Sequence, residues 1–239
     1  MTVRDLTLAS GAAIKLPLSP LLSLTGGYVD TAGFLALQGL FTAHVTGNFV
    51  TLGATLVLGT SGALAKLLAL PLFCLTVFST RLLGSWLTSR GLPALKCLLA
   101  LMMVLLVLGS LLAIQFGPFK NGDAWAAVVT GMVLVAAMAI QNTAHRIHLA
   151  SAPPSTLMTG TTTQIMIDLA DLSSRRATLR ERAALRLRLA RLTVAVSFFT
   201  AGCAAAALLY AAVNVWCFAV PPALGVLAMF ASAPEREPG

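Results

Sequence analysis

An aspartate at position 30 stands inside an apolar stretch, and His44 and the turn Thr46-Gly47-Asn48 follow it closely. A charged group near the centre of a bilayer costs at least about 2.5–3.5 kcal/mol on insertion scales, and such groups usually face a cavity and carry ions or protons. Burial disfavours the charged form of a carboxyl, which suits a proton carrier at Asp30. The structural alternative is a carboxyl that bonds a facing helix, at Asn142 or Thr143. Histidine changes charge near neutral pH, so His44 can gate or relay a proton, or simply cap a loop. His145 and His148, flanking Arg146, read as interfacial residues. The turns Thr46-Gly47-Asn48 and Thr159-Gly160-Thr161 offer free N–H groups and hydroxyls at the starts of short helices. They suit an anionic group or water, and equally suit plain capping. Together, Tyr28, Asp30, His44, Thr46, Gly47, Asn48, Gln141, Asn142, Thr159 and Gly160 form the expected solute or ion pathway.

The elements that must position these residues are set by composition. Of 239 residues, 58% are hydrophobic and only 10% charged, and the mean hydropathy is +0.89. Soluble domains carry about 25% charged residues, so the shortfall marks an all-α integral membrane protein. The net charge is +8, but Arg175, Arg176, Arg180, Arg182, Arg186, Arg188 and Arg191 are gathered in one block beside apolar spans. Such a block orients the chain or touches anionic lipid; no nucleic-acid motif accompanies it. Asp168 and Asp171 are placed to pair with it. Cys74, Cys97, Cys203 and Cys217 lie in separate apolar segments and read as small core residues. The opening residues do not resemble a cleavable signal. No G-x-S-x-G, H-E-x-x-H or G-x-x-x-x-G-K-[ST] pattern occurs, so hydrolase and ATPase chemistry is not expected. Neither a cofactor nor a metal is expected.

A span needs about 20 apolar residues. Full spans are expected at about residues 21–40, 63–87 (broken by Pro71), 95–116, 124–147, 192–213 and 215–231. The runs following the two Thr-Gly turns are shorter and read as re-entrant or broken helices. A tail over 1–19 and another over 233–239 flank one transmembrane domain over 20–232.

The chain also repeats itself. Asp30-Thr31-Ala32 returns as Asn142-Thr143-Ala144, and Val45-Thr46-Gly47-Asn48 as Met158-Thr159-Gly160-Thr161, giving halves of about 20–117 and 122–232. If the short segments dip in and return, six spans form two inverted pseudo-symmetric halves. If they cross, eight spans form parallel halves. With six spans and a cytoplasmic N-terminus, Lys15, Arg90, Lys96, Arg146 and the 175–191 block all fall inside, leaving Lys66 and Lys120 outside. The positive-inside rule favours that arrangement, with both termini cytoplasmic.

The motifs Gly27-Tyr28-Val29-Asp30, Gly33-Phe34, Thr42-Ala43-His44-Val45-Thr46-Gly47-Asn48, Gln141-Asn142 and Thr159-Gly160 resemble the YoaK family of bacterial membrane proteins, over about residues 20–230. The resemblance implies a bacterial inner-membrane location and a multi-span helical fold, and no settled reaction. The residues themselves point to a small secondary transporter or permease, proton-coupled through Asp30, that moves a small solute or ion. A membrane scaffold or sensor acting through its Arg-rich loop is the alternative. An intramembrane enzyme using Asp30 and His44 is a third reading, and homo-oligomers are compatible with all three.

Overall fold

Long apolar runs with few breakers leave helices as the only economical way to satisfy the backbone in lipid. The computed structural model describes residues 17–174 and 178–231, and every regular element among them is helical. In chain order these are α1 (Leu18–Ala36), α2 (Gly47–Leu58), α3 (Ala63–Ser89), α4 (Ala94–Phe116), α5 (Trp125–His148), α6 (Met158–Ser173), α7 (Leu179–Val213), a 3₁₀ helix (Asn214–Ala219) and α8 (Val220–Phe230). Both flanking tails fall largely outside the described residues, as do Arg175 and Arg176.

Four helical segments are long and apolar enough to cross a membrane: α3, α4, α5 and the run Leu179–Phe230, which joins α7 to α8. The 12 residues of α2 rise only about 18 Å at 1.5 Å per residue, short of a hydrocarbon core of about 30 Å. Large apolar side chains point outward along the helices: Val57, Leu75, Phe78, Leu111, Leu208 and Phe230 are all exposed. Continuous apolar surface on that scale marks lipid contact rather than a soluble exterior. Polar side chains point inward instead, with Asp30, Asn48, Lys66, Gln141 and Asp168 all buried.

The core is made where α1 and α5 meet their partners. α1 lies along α7 for most of its length, α5 lies between α3 and α4, and α4 also packs on α8. Helices associate in lipid through close packing, which small residues at the contact allow. At the α1–α7 crossing, a Cβ on Gly27 would overlap the Phe199 carbonyl, and a Cβ on Gly202 would overlap the Leu24 carbonyl. The spacing of Gly26, Asp30 and Gly33 directs attention to one face of α1, yet the tightest approach uses Gly27 on the neighbouring face.

Several local features differ from the sequence expectation. α3 runs unbroken through Pro71; the proline removes a single intrahelical bond, a loss that spanning helices tolerate when neighbours support them. The last apolar segment is two elements, because Asn214 takes φ +52° and ends α7. Pro221 and Pro222 then open α8 in its first turn, where a missing N–H removes no bond. Thr46 is the N-cap of α2 but makes no side-chain capping bond. Lys66 is buried, its Nζ donating to Thr55 Oγ1 at 2.6 Å, which pins α2 to α3.

Loops tie the helix ends together. Asp123 accepts from the Gly62 and Leu64 backbone N–H groups at 2.8 and 2.9 Å, supplying the start of α3 with acceptors. Gln38 Nε2 donates to the Phe119 carbonyl at 3.0 Å. A capping box opens α7: Thr178 Oγ1 accepts from the Glu181 N–H at 3.3 Å, and the Thr178 N–H donates to Glu181 Oε2 at 2.7 Å.

An ion pair ties α6 to α7. Asp168 receives Arg188 Nε at 2.8 Å and Nη2 at 2.5 Å, and Gln164 Nε2 at 2.7 Å. α6 is too polar to count among the spans. The Arg188 guanidinium holds the Asp168 carboxyl below the usual carboxylate range. Arg188 is 54% exposed, so water screens part of the interaction. A carboxyl whose folded value is depressed contributes stability at all pH above the unfolded carboxylate value near 4, and that contribution fades as the pH falls through the folded value. Unfolding curves of the purified chain should therefore show Asp168→Asn less stable than the wild type by a constant margin from pH 7 to 5, narrowing below about pH 4. A margin unchanged at pH 3 would contradict this origin for the pair's contribution.

Candidate functional site

The loop that joins α1 to α2 folds back onto α1, and Asp30 is what it folds onto. Asp30 Oδ1 accepts from the N–H groups of Thr42 and Ala43, both at 2.7 Å, with longer contacts of 3.4 Å from the His44 N–H and the Thr42 hydroxyl. Its other oxygen, Oδ2, lies 2.7 Å from His44 Nδ1. A carboxyl oxygen offers about two acceptor sites, which the two short N–H contacts fill on Oδ1, leaving those at 3.4 Å as weaker neighbours. The partner of Asp30 is thus its own downstream loop, and not Asn142 or Thr143 on the facing helix.

Asn48 fastens the same loop from the other side. Its Oδ1 accepts from the Phe41 N–H at 2.9 Å while its Nδ2 donates to the Phe41 carbonyl at 2.8 Å. Gly47 sits under the Phe41 ring, where a Cβ would come within 2.9 Å of Cδ2.

The loop between α5 and α6 has a related arrangement. Thr156 Oγ1 donates to Asn142 Oδ1 at 2.9 Å, fourteen residues apart, the same separation as His44 and Asp30. Gln141 donates to the Leu22 carbonyl at 2.9 Å and to Ser155 Oγ at 3.4 Å, joining α5 and its loop to α1. Its buried Oε1 has no hydrogen-bond partner among the described residues.

These two loops meet. The Thr156 backbone faces the His44 imidazole, and Phe199 of α7 packs edge-on against that ring at 5.2 Å between centroids. Beside them opens a cavity of about 480 Å³, within the range of about 300–1,000 Å³ usual for small-molecule sites. The first loop lines it with residues 43–46, including His44 and Thr46; the second contributes Thr156 and Leu157. α5 presents Asn142, Thr143, Arg146 and Ile147, and α3 presents Leu70, Phe73, Val77 and Arg81.

The expected pathway residues are therefore distributed unequally. His44, Thr46 and Asn142 line the cavity, and Asp30 stands directly behind His44. Asn48, Gly47 and Gln141 hold the loops in place without lining it. Tyr28 donates to the Cys217 carbonyl at 2.8 Å on the 3₁₀ helix, away from the cavity. Thr159 and Gly160 are exposed in the first turn of α6, and a Cβ on Gly160 would meet nothing within 4 Å. Arg81, Arg146 and Thr156 were not among the pathway residues expected from sequence, and Thr143 was named only as a bonding partner for Asp30. A signal for Arg81 was present: Leu70, Phe73, Val77 and Arg81 fall at i, i+3, i+7 and i+11, one helical stripe that carries its charge onto the face of the apolar residues. Among the described residues no group of three His, Cys, Asp or Glu is placed to hold a metal ion.

Apolar helices of membrane length, polar groups turned inward, and a cavity between two folded-back loops define a multi-span α-helical membrane protein. The chain belongs to the family described as protein of unknown function (DUF1275), whose profile matches residues 18–231. No curated protein and no solved structure matches it.

Proposed function

We propose that the protein is a small secondary transporter of the bacterial inner membrane, akin to the YoaK family its motifs resemble, and that the Asp30–His44 pair is its proton-linked group. The observation that carries this reading is the shared cavity: both folded-back loops line it, and a histidine bonded to a buried carboxylate at 2.7 Å opens onto it. Secondary transporters place their sites where broken helices of two repeats meet near the bilayer midplane. Histidine supplies the titratable ring, and Asp30 fixes which nitrogen faces it.

Two inverted halves are part of this reading. Pairing α1 with α5, α2 with α6, α3 with α7, and α4 with α8 plus its 3₁₀ turn exchanges every helix contact with another that is also made: α1–α7 with α5–α3, α2–α3 with α6–α7, and α4–α5 with α8–α1. The end of α1 and the start of α3 lie together, since Gly122 packs against both Gln38 and Gly62. That supports a dip and return of α2 rather than a crossing, hence six spans: α1, α3, α4, α5, α7 and the last segment. Both termini are then cytoplasmic. Arg180, Arg186 and Arg191 on the polar start of α7 would meet anionic lipid from that side.

Alternating access makes the cavity reachable from each face in turn. With the four native cysteines replaced, Val77→Cys and Asn142→Cys should each react with an impermeant maleimide added to either side of sealed, oriented vesicles. Labelling of both positions from a single side only would remove the transporter reading in favour of a scaffold.

A further inference from the structure

We infer that the cavity binds a small monovalent organic anion with an apolar body, held by Arg81 and Arg146. This rests on the transporter reading for its biological sense, but not for its chemistry. Both guanidiniums line the cavity, and among the described residues neither has a carboxylate partner, the two ion pairs being His44–Asp30 and Arg188–Asp168. Other carboxylates are engaged elsewhere: Asp30 faces its loop N–H groups behind His44, and Asp123 serves the start of α3 at the opposite end of that helix from Arg81. Among the described residues, the charged and titratable groups lining the cavity are Arg81, Arg146 and His44, and no acidic side chain lines it.

Both arginines are exposed, Arg81 toward the end of its helix and Arg146 in the last turn of its own, so their guanidiniums are reachable by an anion entering the cavity. A guanidinium presents donors in a planar fork that fits a carboxylate or sulfonate. The remaining wall is apolar, with Leu70, Phe73, Val77, Ile147 and Leu157, which suits a hydrocarbon portion and disfavours a small hydrated inorganic ion. Thr143 and Asn142 add neutral polar groups that can orient the ligand.

Benzenesulfonate is a suitable probe because it stays charged and does not leak across bilayers as a neutral acid. Calorimetry on the full-length protein in zwitterionic lipid nanodiscs should show binding, with benzenesulfonamide (the uncharged analogue) and benzylamine (a cation) failing to bind. Arg81→Gln and Arg146→Gln should each weaken binding by about tenfold or more, the loss expected for a charge-assisted hydrogen bond. The corresponding lysine variants should recover part of it, which separates ligand binding from misfolding. Equal binding of sulfonate and sulfonamide, or unchanged affinity in the double glutamine variant, would overturn the inference. So would sulfonate binding abolished by anionic phosphatidylglycerol in the nanodisc, since the arginines would then be lipid headgroup sites. Two-sided maleimide labelling with no sulfonate binding would sink the anion site alone. Sulfonate binding with one-sided labelling would sink the transporter alone.

Discussion

Asparagine at position 30 should leave a folded protein that has lost its proton link, whereas alanine there should strongly destabilise it. The two outcomes follow from the two jobs of the carboxylate. Oδ1 holds the Thr42 and Ala43 N–H groups at 2.7 Å in a buried loop. Alanine leaves both donors unmet, at about 1–3 kcal/mol each, a large share of a total stability of about 5–15 kcal/mol. An asparagine amide oxygen can still accept both. Its NH₂ group would meet His44 Nδ1 in place of Oδ2, so the histidine–carboxylate pair is gone while the loop remains. In proteoliposomes loaded with a pH-sensitive dye, a benzenesulfonate gradient should drive proton movement through the wild type, and Asp30→Asn should reduce it by about a hundredfold, within the 10²–10⁴-fold range ascribed to a positioned proton-transfer group. Wild-type proton movement in the asparagine variant would confine Asp30 to holding the loop. A wild-type melting temperature in the alanine variant would remove even that role.

Alanine at Gly27 should be at least as damaging to folding, for a reason unrelated to any site. α1 and α7 touch backbone to backbone there, and the added Cβ would overlap the Phe199 carbonyl, with Cys203 Sγ also 3.2 Å away. A flexible side chain can turn aside, but a helix carbonyl moves only if the helix does. Overpacking a core generally costs about 1–3 kcal/mol, occasionally more, and a backbone obstacle places this case at the top of that range or beyond. Gly202→Ala meets the Leu24 carbonyl from the opposite side and should behave alike. Gly53→Ala is the control, since a Cβ there would meet nothing within 4 Å and alanine is the better helix former by about 1 kcal/mol. The checks are the folded fraction on size exclusion and the melting temperature in detergent. A Gly27→Ala protein that melts with the wild type would refute the close approach.

Both predictions concern residues within one short stretch of α1, and the sequence distinguished them only in part. Asp30 was legible because a carboxylate in an apolar run is costly wherever the chain goes. Gly27 and Gly26 look alike in sequence, and which of them meets another backbone depends on how α1 is rotated against a helix some 175 residues later. The same limit hid the second half of the cavity. Asn142 was visible as a polar residue in an apolar span, but Arg81 read only as a charge near a helix end.

The all-helical, membrane-spanning class was determined by the sequence itself, because hydropathy and the length of apolar runs are local properties of the chain. Only the tertiary structure decided that Asp30 turns to His44 rather than to α5, that Thr159 and Gly160 stand clear of the cavity that Thr46 lines, and that Arg81 and Arg146 face one space. Those outcomes depend on helix rotation and loop closure, which arise when separate segments pack and which no window of neighbouring residues encodes.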